Sequence, residues 1–241
     1  MFRPIYEPRT RAREYCDLAV NIYTGCNNGC TYCYAPRVLR KSREQFATDV
    51  RPRDRIVESV CRQIEREGLV GQKIMLCFTC DPYPAGIDTT TTRDVIKAIK
   101  ESGNHVQILT KGGERAVRDF DLLDRGDSFG VTISGGENIS EPNAACPEER
   151  IDTLAEAHQS GITTWVSCEP VLEPSAIFNL VRRGIFIDLF RIGKLNYSKD
   201  RWMNWGEFGR KIEAHCKAHG RNYYIKEDLR AEMEKVGERV A

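Results

Sequence analysis

Cys26, Cys30 and Cys33 fall within the run Cys26-Asn27-Asn28-Gly29-Cys30-Thr31-Tyr32-Cys33, three thiols in eight residues. A cubane iron–sulfur cluster takes four thiolates when protein supplies every ligand, so a cluster held by these three would keep one iron open to another molecule. The three-then-two spacing matches neither paired C-x-x-C zinc sets nor the bacterial ferredoxin run, and no further Cys or His follows before Cys61. Two other readings stay open on the residues alone: a zinc site completed from far along the chain, and buried cysteines that bind nothing. Gly25 and Gly29 suit a loop that bends tightly around a cluster, where a Cβ would obstruct the turn.

The pattern C-x3-C-x-aromatic-C, with Tyr32 at the aromatic position, resembles the signature of the radical S-adenosylmethionine (SAM) superfamily. The resemblance implies a [4Fe–4S] cluster on Cys26, Cys30 and Cys33, with the amino and carboxylate groups of SAM on the open iron. It further implies reductive cleavage of SAM to a 5′-deoxyadenosyl radical, with Tyr32 among the SAM contacts. The electron would come from an external one-electron donor of the flavodoxin or ferredoxin type. The protein's share of such chemistry is to place the radical beside one substrate hydrogen and exclude solvent.

The elements that position this loop follow from the apolar pattern. Residues 1–15 are polar and arginine-rich and read as an irregular arm. Strand candidates are 18–23, which runs directly into the cysteine loop, then 73–78, 106–109, 129–133, 163–166 and 185–192, with a short one at 223–225. Between them lie helix patterns opening at Pro52 and ending at Gly68, then about 93–102, 115–123, 148–159, one capped by Ser175, and 205–217, with a charged helix at the end. Strand and helix alternate at nearly constant spacing, which favours βα units and a parallel sheet. Six units suggest an α/β partial (β/α)6 TIM-type barrel, which is also the fold that the radical SAM resemblance implies. The chain reads as a single domain over 1–241, with a core of about 16–195 and a C-terminal α/β extension of about 196–241.

In parallel α/β folds the ligand site lies beyond the carboxyl ends of the strands. The exits there are polar where their strands are apolar: Thr79-Cys80-Asp81-Pro82-Tyr83, Thr110-Lys111, Ser134-Gly135-Gly136-Glu137, Cys168-Glu169-Pro170 and Arg191-Ile192-Gly193-Lys194. Together with Cys-x3-Cys-x-Tyr-Cys-Tyr-Ala, the Thr-x-Asp-Pro-Tyr-Pro and Thr-Lys exits resemble the spore photoproduct lyase-like branch, from about 22 to 194. That resemblance implies Lys111 against the SAM carboxylate, Ser134 near its methionine or ribose part, and Cys80 also near SAM. Gly135-Gly136-Glu137 resembles the Gly-Gly-Glu of other radical SAM enzymes, but follows the fourth strand rather than the second. The lyases' hydrogen-donating cysteine aligns with Phe78, flanked here by Cys77 and Cys80; an inward thiol at either position could quench a carbon radical. Glu169, held extended by Pro170, is the candidate for a substrate or ribose contact, or else a salt-bridge carboxylate. The segments 201–205 and 221–224 mix basic and aromatic residues suited to stacking bases or to covering the barrel's open side.

Of 241 residues 41% are hydrophobic, enough for one full core, and 36 Lys and Arg against 35 Asp and Glu leave no global field for nucleic acid or membrane. From Met1 to Arg55, however, eleven basic residues face six acidic ones, a local surplus of five beside the cysteine loop. That surplus would receive an anionic substrate or simply be a solvated surface. No apolar leader or 18-residue apolar run occurs, so a cytoplasmic location is expected, and the ten cysteines read as thiols and cluster ligands. The substrate class expected by analogy is nucleic acid or a nucleotide-like molecule. The competing functions are a non-catalytic iron–sulfur or zinc nucleic-acid-binding module, and a SAM-using enzyme for a peptide or small metabolite.

Overall fold

Short β-rich apolar runs become the strands of one eight-stranded sheet whose spatial order equals the chain order. The computed structural model describes residues 3–136, 141–195 and 203–235. The strands are β1 (Ile5–Tyr6), β2 (Leu18–Val20), β3 (Lys73–Leu76), β4 (His105–Thr110), β5 (Ser128–Thr132), β6 (Thr163–Cys168), β7 (Leu189–Ile192) and β8 (Tyr223–Ile225). β1 runs antiparallel to β2, and every later pair is parallel. β1 and β8 do not pair, so the sheet is a partial barrel and not a closed one. The expected architecture is thus present, with β8 adding a seventh parallel strand beside β7.

Helices α1 (Ala35–Val38), α2 (Arg43–Thr48), α3 (Ile56–Glu67), α4 (Thr90–Glu101), α5 (Pro147–Gln159), α6 (Pro174–Arg183), α7 (Trp205–Ala218) and α8 (Glu227–Lys235) fill the connections. α3 buries Ile56, Val60, Gln63 and Ile64 along one face and ends at left-handed Gly68, the cap expected there. The pattern at 115–123 forms a 3-10 helix, Gly113–Leu122, and Ser175 does not cap α6. Its hydroxyl instead donates to Glu173, which stands at the cap position. α1 and α2 were not expected as separate elements, although Ser42 and Gln45 form a capping box at the start of α2.

Alternation along the strands sorts two apolar clusters. Ile74, Leu76, Val106, Ile108, Phe129, Val131, Val166, Phe190 and Ile192 pack outward with the helices, whereas Ala19, Met75 and Trp165 gather with Tyr15 inside. Gly130 makes room for this interior, since a Cβ there would lie 2.3 Å from the Trp165 indole.

The arm before β2 contains a 3-10 turn, Thr10–Glu14, that crosses the gap between the sheet edges. Gln107 donates to Tyr15 O, Tyr224 Oη and Glu227 N donate to Glu14 Oε2, and Arg11 pairs with Asp228. Arg191 sits among the Tyr15, Trp165 and Tyr224 rings and donates to Glu14 O. The arm before β2 and the segment from β8 into α8 therefore meet over the barrel's open side.

Candidate active site

The strand ends surround a cavity of about 450 Å³ lined by Cys26, Cys30 and Cys33 on one wall. The cysteine loop leaves β2 and is held from three directions. Arg43 of α2 donates to the carbonyls of Cys30, Thr31 and Cys33 at 3.1, 2.7 and 3.3 Å. Asn143 holds the carbonyls of Asn27 and Asn28. Gly25 lies so close to α2 that a Cβ would meet Phe46 O at 2.3 Å. With its carbonyls drawn outward, the loop leaves its thiols to the cavity.

Asp81 locks this loop to the neighbouring exits. It is buried and accepts from Asn28 Nδ2 (2.9 Å), Thr110 Oγ1 (2.6 Å), and the backbone N–H groups of Tyr83 (2.9 Å) and Lys111 (2.8 Å). One carboxylate thus fixes the exits of β2, β3 and β4 together. Lys111 follows; its ammonium stands 5.7 Å from the centre of the Tyr32 ring and 3.7 Å from Glu141 Oε1. Tyr32 and Ser134 share a hydrogen bond of 3.0 Å between their hydroxyls. Glu141 is buried, and burial pushes its carboxyl up against the opposing pull of Arg150, whose guanidinium lies 2.5 Å away. Burial pushes the Cys30 thiol up to about 11, and Lys111 pulls it in the opposite direction.

The opposite wall is built on β6 and β8. Glu169 Oε2 accepts from Tyr15 Oη at 2.7 Å and from Lys226 Nζ at 2.6 Å, and Tyr15 Oη also meets Ser167 Oγ at 2.9 Å. Lys226 is only 2% exposed and lies 4.4 Å from the Tyr15 ring centre. Burial, reinforced by Glu169, raises the Tyr15 hydroxyl well above the usual phenol range, so it stays protonated and donates.

Of the residues singled out from sequence, Cys26, Cys30, Cys33, Tyr32, Cys77, Cys80, Lys111 and Glu169 all line this cavity, and Ser134 stands behind Tyr32. Gly136 donates to Glu173 Oε2, while Glu137, Arg201 and Trp202 lie outside the described residues. Tyr223 and Tyr224 are engaged by Glu213 and Glu14, within the cover of the open side. The roles of Arg43, Asp81, Glu141, Tyr15 and Lys226 were not foreseen. The Thr-x-Asp-Pro turn signalled Asp81 and the capping box signalled α2, but nothing local marks Lys226.

Three thiols facing one cavity are a donor set that a [4Fe–4S] cluster can take. One zinc ion would draw its thiolates to about 3.8 Å from one another, since Zn–S bonds of about 2.3 Å meet tetrahedrally. The three thiols do not all fall within 4.8 Å of one another; among the described residues only His105, Asp124 and Asp127 gather so closely. The Lys100 ammonium already occupies that trio, 2.6 Å from Asp124. A cubane binds each thiolate on a separate iron and does not need the three to converge on one point.

A family model described as "Protein of unknown function (DUF5131)" matches residues 10–239. The chain belongs to the DUF5131 family. This DUF5131 protein is 28% identical over 179 residues to an uncharacterized protein of Methanocaldococcus jannaschii, covering 70% of the chain and 65% of that relative. It thus spans slightly less than two thirds of that relative's length. In fold it is similar to spore photoproduct lyase solved with bound SAM and dinucleoside spore photoproduct, at TM-score 0.66 and 16% identity, covering 91% of this chain and 78% of that one. It is also similar to SuiB of Streptococcus suis bound to the precursor peptide SuiA, at TM-score 0.66 and 13% identity, covering 90% and 51%. The fold of this DUF5131 protein is therefore one it shares with radical SAM enzymes such as spore photoproduct lyase and SuiB.

Proposed function

We propose that this DUF5131 protein is a cytoplasmic radical SAM enzyme that abstracts a hydrogen atom from an anionic, nucleotide-like substrate. The observation that carries the reading is that three thiols of one loop, Lys111 and a polar wall face one cavity at the carboxyl ends of parallel strands. Cys26, Cys30 and Cys33 would hold a [4Fe–4S] cluster, which when bound supplies the electron for SAM cleavage. Lys111 offers an ammonium for the SAM carboxylate, and Glu141 beside it holds that ammonium in place. Ser134 orients Tyr32 at the same wall, and Cys80 borders it. Across the cavity, Glu169 meets the substrate or a ribose hydroxyl, its carboxylate oriented by Tyr15 and Lys226. Cys77 or Cys80 stands where a thiol could return hydrogen to a substrate radical.

Cationic side chains on the wall argue for the substrate class. Arg9, Arg11, Lys111, Lys194 and Lys226 line the cavity, and although Asp228, Glu141, Glu232 and Glu169 pair with the last four, each can still present a donor to an anionic group. The dinucleoside bound by the lyase neighbour supports the same class, and the peptide bound by SuiB supports the competing one. Exposed Arg37 and Arg40 flank the cysteine loop and suit an acidic one-electron donor of the flavodoxin or ferredoxin type.

The test is anaerobic reconstitution with iron and sulfide, followed by dithionite and SAM. The wild type is expected to hold about four irons per chain and to form 5′-deoxyadenosine, and Cys30→Ala to do neither. Tight zinc binding with no deoxyadenosine would favour a non-catalytic module instead. Oligonucleotide affinity that falls steeply between two salt concentrations supports a phosphate-bearing substrate; a flat response supports a peptide or small metabolite.

A further inference from the structure

β3 ends at Leu76, and a strand continuing beyond it would send Cys77 and Cys80 to opposite faces, because their spacing is odd. The chain does something else. Cys77 takes φ 66°, a left-handed conformation that a side chain disfavours and glycine would adopt freely. The turn is pinned throughout: Cys77 N donates to Val20 O at 2.8 Å, and Phe78 N and Thr79 N both donate to Asn21 Oδ1 at 2.9 Å. Tyr23 N points at Cys80 Sγ from 3.5 Å. As a result both thiols line the cavity, and that of Cys77 lies within hydrogen-bonding reach of Cys80. Cys77 is 5% exposed, whereas Cys80 is partly open to the cavity. A deep thiol beside an accessible one, in a C-x-x-C turn off a parallel strand, is the arrangement of a redox dithiol.

We propose that Cys77 and Cys80 form a redox-active dithiol that closes to an intrachain disulfide inside the cavity by exchange with a small disulfide of the glutathione class. The Cys80 thiolate attacks one sulfur of oxidised glutathione, forming a mixed disulfide and releasing the first glutathione thiolate. The Cys77 sulfur then attacks the Cys80 sulfur, displacing the second glutathione, and the Cys77 proton passes to a departing thiolate. Two protein thiols and one oxidised glutathione become one protein disulfide and two glutathiones. The reduced dithiol holds two reducing equivalents beside the cysteine loop, and closing the disulfide passes them to glutathione. This goes beyond the radical reading and needs neither cluster nor SAM.

The experiment is equilibration of the anaerobically purified protein across ratios of reduced to oxidised glutathione, then acid quench, alkylation and mass spectrometry. Trypsin cuts after Lys73 and Arg93, so one peptide carries both cysteines and none of the cysteine loop. The expected result is a single transition in that peptide from two alkyl groups to none, with loss of two hydrogens. Cys77→Ser should abolish the intrapeptide disulfide and leave a glutathione adduct on Cys80. Two alkyl groups at every ratio, or disulfides that join Cys77 or Cys80 to Cys16 or Cys26, would overturn the proposal. Because deoxyadenosine formation is assayed separately, a protein that forms the disulfide but never cleaves SAM sinks the radical reading alone, and the reverse sinks the dithiol alone.

Discussion

Asp81 concentrates more of the site's order than any cysteine does. Four donors from three exits converge on its buried carboxylate, so the change Asp81→Asn turns part of an acceptor-only group into a donor facing N–H and O–H groups. Each buried group left unpaired costs about 1–3 kcal/mol. The expected outcome is a lower melting temperature together with weaker iron retention, whereas Asp127→Asn, at the opposite ends of the strands where it meets Val106 N and Lys100, should lower the former alone. Lys226 makes the complementary case on the other wall. Lys226→Met leaves Glu169 without its closest cation and is expected to destabilise by about 3–5 kcal/mol in urea unfolding, and Lys226→Arg by much less.

At the scale of elements, the cysteine loop is only as well placed as α2. Gly25→Ala would drive a Cβ to 2.3 Å from Phe46 O and 2.8 Å from Asp49 O, so α2 or the loop must shift. Overpacking of this kind costs about 1–3 kcal/mol. Iron stoichiometry after reconstitution should fall with it, and Arg43→Ala, which frees three loop carbonyls, should lower iron retention with a smaller loss of stability. The edge strand β1 depends in the same way on α3. Gln63 exchanges hydrogen bonds with both backbone groups of Ile5 while also donating to Glu67. Bonds from Arg66, Gln63 and Arg3 hold Glu67 down at about 2. A carboxylate with a depressed folded pKa contributes stability above its ordinary pKa, and that contribution disappears as pH falls toward the folded value. Wild type should therefore lose melting temperature more steeply than Glu67→Gln between about pH 5 and about 2. Parallel acid limbs would show that Glu67 adds nothing there.

Across the whole molecule, the arm before β2 and the segment from β8 into α8 cover the open side of the barrel. The sheet has free edges at β1 and β8, and the arm around Tyr15 fills the gap with contacts to Gln107, Arg191, Tyr224 and Lys226. The same arm supplies Tyr6, Arg9, Arg11 and Tyr15 to the cavity wall, so closing the barrel and shaping the site are one event. Arg191 is held in this interior by aromatic faces and the Glu14 carbonyl, with burial lowering its pKa. Tyr15→Phe removes only the hydroxyl shared by Ser167 and Glu169. It is expected to keep the melting temperature within a few degrees while weakening binding of any substrate that meets Glu169, read as a higher KM without loss of bound iron.

The sequence by itself determined what depends on local pattern: the three-thiol loop, the alternation of strands and helices that makes a parallel partial barrel, and the polar exits that gather at one end. Those features repeat at spacings of two to a few tens of residues, and chemistry or periodicity reads them directly. Only the tertiary structure decided that Glu169 meets Lys226 and Tyr15, that Asp81 ties three exits, and that Cys77 turns back toward Cys80. Tyr15 and Glu169 stand 154 positions apart, and no pattern within one element specifies a partner at such a distance. The Cys77 turn departs from the alternation of its own strand, where its N–H groups donate to Val20 O of β2 and to Asn21 Oδ1 and so offset the cost of a left-handed residue.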